Sequence, residues 1–136
     1  MPKTARKKLT RKEQRDLDVE IGFLEGIVGR DPKYVEALQV LGDNYTRRGK
    51  FTEGMQVDEK LSTLLPNDPT VLYNLACSYA LTRRLQQAAA ALLRALDYGY
   101  SDFKWLLKDP DLQNLRDDDL FKVIRARIRS RKVRIQ

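Results

Sequence analysis

Histidine is absent from this 136-residue chain, and cysteine and tryptophan occur once each, at Cys77 and Trp105. The lack of imidazole removes the commonest general acid/base and metal ligand, and a single thiol excludes both an intramolecular disulfide and a zinc finger. No apolar run approaches the ~18 residues that a membrane span requires, so a soluble chain is expected. The basic start, residues 1–9, is followed by no apolar core of a secretory signal, and a reducing, cytoplasmic compartment is the expectation. No glycine-rich loop follows a strand pattern; Gly22, Gly26 and Gly29 fall within a helical pattern instead. The remaining acidic clusters, Asp109/Asp111 and Asp117/Asp118/Asp119, read as a solvated turn and a helix start rather than as acid/base pairs. With Cys77 lacking any histidine to activate it, no enzyme is expected, and no cofactor or metal.

What is present is a hydrophobic fraction of 42%, enough for one packed domain, and an uneven charge distribution. Residues 1–15 carry Lys3, Arg6, Lys7, Lys8, Arg11, Lys12 and Arg15 against Glu13 alone. Residues 122–136 carry Lys122, Arg125, Arg127, Arg129, Arg131, Lys132 and Arg134 with no acid, while the stretch between holds more acids than bases. An acidic body with two basic ends places any polyanion affinity at the ends, with Lys7, Lys8, Arg11, Lys12, Arg125, Arg127, Arg129 and Arg131 as the candidate residues.

The body repeats itself at 34 residues: Leu38, Leu41, Gly42, Tyr45, Phe51 and Leu61 return as Leu72, Leu75, Ala76, Tyr79, Leu85 and Ala95. Each unit reads as two helices. Asp31-Pro32 and Asp68-Pro69 supply a capping carboxylate followed by a proline, and Gly49 breaks the first pair of stripes, as glycine does at helix ends. Thr10 and Glu13 stand at capping-box spacing before a preceding helix through Leu17, Ile21 and Leu24. Downstream, Ser101-Asp102 opens a short helix through Trp105, and Asp117 to Asp119 begin a last one along Leu120, Ile124 and Ile128. That helix is expected to fray beyond Ser130, where no acid relieves the arginines. The chain divides into a basic tail over 1–9, a helical region over 10–121 and a basic helix or tail over 122–136. Leu41, Tyr45, Leu75, Tyr79, Leu92 and Trp105 are expected in the core.

These residues resemble the tetratricopeptide-repeat (TPR) pattern. The first unit supplies Leu38, Leu41-Gly42, Tyr45, Gly54 and Pro66, and the second Leu72, Leu75-Ala76, Tyr79, Ala88 and Leu92. Leucine replaces the family's tryptophan in both units, and Asp58 and Tyr100 replace an aromatic and a proline. Residues 105–121 resemble the divergent segment that follows bacterial repeats of this kind. The resemblance implies an all-α, right-handed solenoid of antiparallel hairpins, with two full repeats, a preceding half repeat and a C-terminal cap. It also implies a non-enzymatic adaptor whose concave groove receives a peptide or partner helix on Glu36, Gln39, Val40, Asp43, Thr46 and Arg47, then Thr70, Tyr73, Asn74, Cys77, Ala80 and Leu81. The alternative expectation is a nucleic-acid- or ribosome-associated protein that uses its Lys/Arg-rich ends.

Overall fold

The computed structural model describes residues 8–135, and their side chains as far as Lys132. Among the described residues every element is helical: α1 (Arg11–Arg30), α2 (Val35–Arg47), α3 (Phe51–Leu64), α4 (Pro69–Leu81), α5 (Leu85–Asp97), α6 (Phe103–Leu106), a 3₁₀ turn at Pro110–Leu112, α7 (Gln113–Arg116) and α8 (Phe121–Ile135). None is long and apolar enough to cross a membrane.

The 34-residue period is visible in three dimensions. Helices α2 and α4 begin at Val35 and Pro69, and α3 and α5 at Phe51 and Leu85, so both pairs keep the repeat frame. Side-chain contacts keep it too. The Tyr45 hydroxyl donates to the Glu25 carboxylate, and one period later the Tyr79 hydroxyl donates to Glu59 Oε2 at 2.8 Å. Burial first, and then the carboxylate, pushes the Tyr79 hydroxyl up to about 12, so it stays a proton donor throughout the physiological range. Helix ends repeat as well: the Lys50 N–H donates to the Tyr45 carbonyl and the Arg84 N–H to the Tyr79 carbonyl, both at 2.8 Å.

Start signals are mixed. Thr10 and Glu13 close a capping box at the head of α1, each side chain bonded to the other's backbone N–H at 3.1 Å. The Asp68 carboxylate accepts from the Thr70 and Val71 N–H groups, with Pro69 as the first helical residue of α4. Asp31-Pro32 does not do the same for α2, contrary to expectation. The chain turns there, and the helix starts at Val35 behind Tyr34, which has no side-chain cap. Tyr34 is the frame equivalent of Asp68, so the repeat register, set by packing, overrides a local cap three residues early.

Close approach explains the glycines at the hairpin crossing. A Cβ at Gly42 would lie 3.2 Å from both Val57 Cγ1 and Asp58 Oδ1, and one at Gly54 would lie 3.1 Å from Thr46 Oγ1. Asp58 is buried and accepts from the Ser78 hydroxyl, so its carboxylate is satisfied across the α3–α4 contact.

At the α2–α3 turn Gly49 takes φ 84°, and its frame equivalent Arg83 takes φ 61°. That left-handed conformation costs a non-glycine residue about 1–2 kcal/mol. Arg83→Gly should therefore raise stability by about 1 kcal/mol. The check is a higher urea midpoint with an unchanged denaturant slope.

Each of α2, α3, α4 and α5 packs on the helix before it, and the C-terminal segment folds back over α4 and α5. The largest core cluster joins α4 and α5 to Leu106, Leu112, Leu115, Phe121, Ile124 and Ile128. Smaller clusters bind α1 to α2, through Ile21, Leu24, Leu41 and Tyr45, and join Leu38, Leu61 and Val71. Leu41, Tyr45, Leu75, Tyr79 and Leu92 are buried as expected, whereas Trp105 is only half-buried at the edge of the large cluster.

The last helix is longer than expected. Its start follows the anticipated logic, with Asp118 Oδ1 accepting from the Leu120 N–H at 2.9 Å. It then continues to Ile135 rather than fraying at Ser130. The missing acid comes from α5: Asp97 bonds both Arg127 and Arg131, the latter at 2.8 Å. Partial burial opposes ionisation of Asp97, but the hydrogen bonds and charges of the two arginines prevail and hold its carboxyl below the ordinary carboxylate range.

Candidate functional site: the equivalent faces of α2 and α4

Spacing at i, i+3, i+4, i+7 and i+11 places Glu36, Gln39, Val40, Asp43 and Arg47 on one face of α2. All five are exposed, and Val40 remains 44% exposed although it is apolar. The buried face of the same helix is Ala37, Leu38, Leu41, Gly42, Asn44, Tyr45 and Thr46. Thr46 therefore leaves the predicted groove set: it faces α3 and donates to the Gly42 carbonyl at 3.2 Å.

One period later the same positions are Thr70, Tyr73, Asn74, Cys77 and Leu81 on α4, and their surroundings differ. Thr70, Asn74 and Leu81 are half-buried. Tyr73 and Cys77 are both 0% exposed, which corrects the expectation that they line an open groove. The cause is the chain itself. The 3₁₀ turn Pro110–Leu112 and α7 lie on α4, bringing Asp109 Oδ2 within 2.7 Å of the Tyr73 hydroxyl, which donates to it. The Cys77 thiol lies 3.7 Å from the same oxygen. Asp109 Oδ1 accepts from the Asp111 N–H at 2.9 Å. Ala80, another predicted groove position, is sealed at its backbone, where its carbonyl accepts from Asn114 Nδ2 at 3.0 Å.

Tyr100 completes the arrangement by stacking on Tyr73, with ring centroids 4.1 Å apart and planes 6° from parallel. Burial, then the neighbouring Cys77 and the hydrogen bond to Asp109, pushes the Tyr73 hydroxyl far above its ordinary value, so it acts here as a donor. Asp109 and Asp111 are thus no solvated turn: they are 1% and 3% exposed. The sequence signals for this were Tyr100, standing one period after Pro66, and the leucines that follow Asp111.

The basic candidates separate into different environments. Lys7 lies outside the described residues. Lys8, Arg11 and Lys12 are exposed, and Lys12 pairs with Asp16 at 3.6 Å. Arg127 and Arg131, predicted to bind a polyanion, are instead engaged by Asp97. Arg125 and Arg129 are exposed on the other flank of α8 beside Lys132, and the Arg125 guanidinium lies 4.9 Å from the centre of the Phe121 ring.

No family model matches the chain. It is similar to a chloroplastic protein of Arabidopsis thaliana. The two are 36% identical over 81 residues, a stretch that covers 55% of this chain. The chain spans 23% of that protein's length, so the likeness concerns one part of a much longer protein.

Proposed function

We propose that this chain is a non-enzymatic protein-interaction module, an adaptor built as a right-handed solenoid of tetratricopeptide type, with residues 103–135 as its cap. The observation that carries this reading is the contrast between two equivalent helix faces. On α4 the face is filled by a segment of the chain itself, whose turn inserts a carboxylate and whose Leu112 and Leu115 are fully buried. The frame-equivalent face of α2 is open. A surface of this geometry already accepts a folded segment within the molecule, and its copy on α2 stands ready for a segment from another.

The chemistry of the two faces predicts different occupants. Where α4 offers Tyr73 and Cys77 to a carboxylate, α2 offers Gln39 and Asp43, with Glu36 one turn earlier. A carboxylate would be repelled there; a segment with one apolar anchor over Val40 and a Lys or Arg opposite Asp43 is complementary. Affinity capture on the full-length chain, from nuclease-treated extract, tests this. A protein retained by the native sequence should be lost at least tenfold by Val40→Arg combined with Asp43→Arg, with the melting temperature unchanged because both side chains are exposed. Equal retention by the two chains would refute the assignment.

A further inference from the structure

The arginine-rich helix α8 presents two chemically different flanks. One is spent on the fold: Arg127 and Arg131 converge on Asp97 of α5, which fixes the rotation of the helix. The buried stripe Phe121, Ile124 and Ile128 lies between the flanks. On the far side Arg125, Arg129 and Lys132, together with Leu107 and Ile128, line an open crevice of about 110 Å³. No acidic side chain contributes to its wall, and none of the three cations has an acidic partner among the described residues. Like charges at i and i+4 destabilise a helix unless something neutralises them. A counter-charge is supplied on the Asp97 flank and withheld on this one.

We propose that this crevice binds the phosphodiester backbone of a nucleic acid, with Arg125, Arg129 and Lys132 holding successive phosphates. Positions i, i+4 and i+7 make a straight row about 10 Å long at 1.5 Å rise per residue. Such a row suits a chain of phosphates better than one isolated anion. The guanidinium of Arg125 is steadied against the Phe121 ring, and a planar fork of donors matches phosphate oxygens bidentately. The bulk of the chain carries more acids than bases, so a polyanion is repelled from the body and steered to the basic ends, of which this is one. A membrane surface fits less well. The apolar residues Phe121, Ile124 and Ile128 of α8 are consumed in the core, which leaves Val123 as the large exposed apolar side chain among those described on the helix. Contact through backbone phosphates alone carries no sequence preference.

The test measures binding of the full-length chain to fluorescent 20-nucleotide single-stranded and duplex DNA by anisotropy, from ~50 mM salt upward. Arg125→Gln/Arg129→Gln/Lys132→Gln should lower the slope of log affinity against log salt by about 2–3 units on duplex and about 2 on single strands. Arg129→Gln/Lys132→Gln, which spares the Phe121 contact, should remove about two-thirds of that. Arg127→Gln/Arg131→Gln should leave the slope as it is. Absence of binding at ~50 mM salt would overturn the proposal. So would equal slope losses from the two flanks, an unchanged slope in the triple variant, or selective binding to phosphatidylserine vesicles in place of DNA.

Discussion

A chain ending at Gly99 should lose cooperative unfolding and bind a hydrophobic dye, because the segment beyond it supplies a large share of the largest core cluster. Leu106, Leu112, Leu115, Phe121, Ile124 and Ile128 are each at most 3% exposed, and their partners are α4 and α5. Burying one such side chain contributes about 1.5–3 kcal/mol. Six of them together rival or exceed the roughly 5–15 kcal/mol net stability of a typical domain. Deletion also uncovers Tyr73, Cys77 and Ala80, leaving a contiguous apolar patch of the kind that drives association. Calorimetry of fragment 1–99 beside the full chain provides the measurement. A sharp transition within a few degrees of the intact protein would show that α1 to α5 stand alone.

The second large effect is expected from Asp109→Ala. Its carboxylate accepts from the Tyr73 hydroxyl and from the Asp111 N–H, and both donors are buried. Removing the acceptor leaves each without a partner at about 1–3 kcal/mol apiece, so a loss of about 2–6 kcal/mol is expected. Tyr73→Phe removes only one of the two bonds and should cost about 1–2 kcal/mol. In the double variant the costs should fall short of additivity, because the Tyr73–Asp109 bond is lost only once. Urea titration of the four chains gives the coupling. Additivity within about 0.3 kcal/mol would mean that the turn is held by its leucines and that the hydrogen bond contributes little.

The turn also bears on the proposed function: as long as Asp109 is anchored, the α4 face is covered while the equivalent face of α2 is exposed. A variant that loosens the turn without unfolding the chain would expose the second face beside the first.

The helical elements are legible because period and punctuation agree. Leu38, Leu41 and Tyr45 followed by Gly49, then Leu72, Leu75 and Tyr79, specify paired helices by spacing alone, and the hairpin glycines Gly42 and Gly54 follow from the closeness of the helices. The start of α2 departs from its local signal because a cap at Asp31 is worth only about 1 kcal/mol, less than the packing that holds the 34-residue frame. The end of α8 outruns its local signal because its counter-charge, Asp97, lies 34 positions from Arg131.

The candidate site shows the same division. Exposure of Glu36, Gln39, Val40, Asp43 and Arg47 follows from their place on the polar side of an amphipathic helix, which composition and period determine. Burial of Tyr73 and Cys77 could not follow from period, since they occupy the same helical positions one repeat later. Sequence by itself determined the paired helices, the hairpin frame, the absence of imidazole chemistry and the concentration of positive charge at the ends. Only the tertiary structure decided which of the two equivalent helix faces stays exposed and which arginines stay without an acidic partner among the described residues. Both depend on where the C-terminal segment docks, and that is settled by contacts between residues far apart in the chain, whose partners no local pattern names.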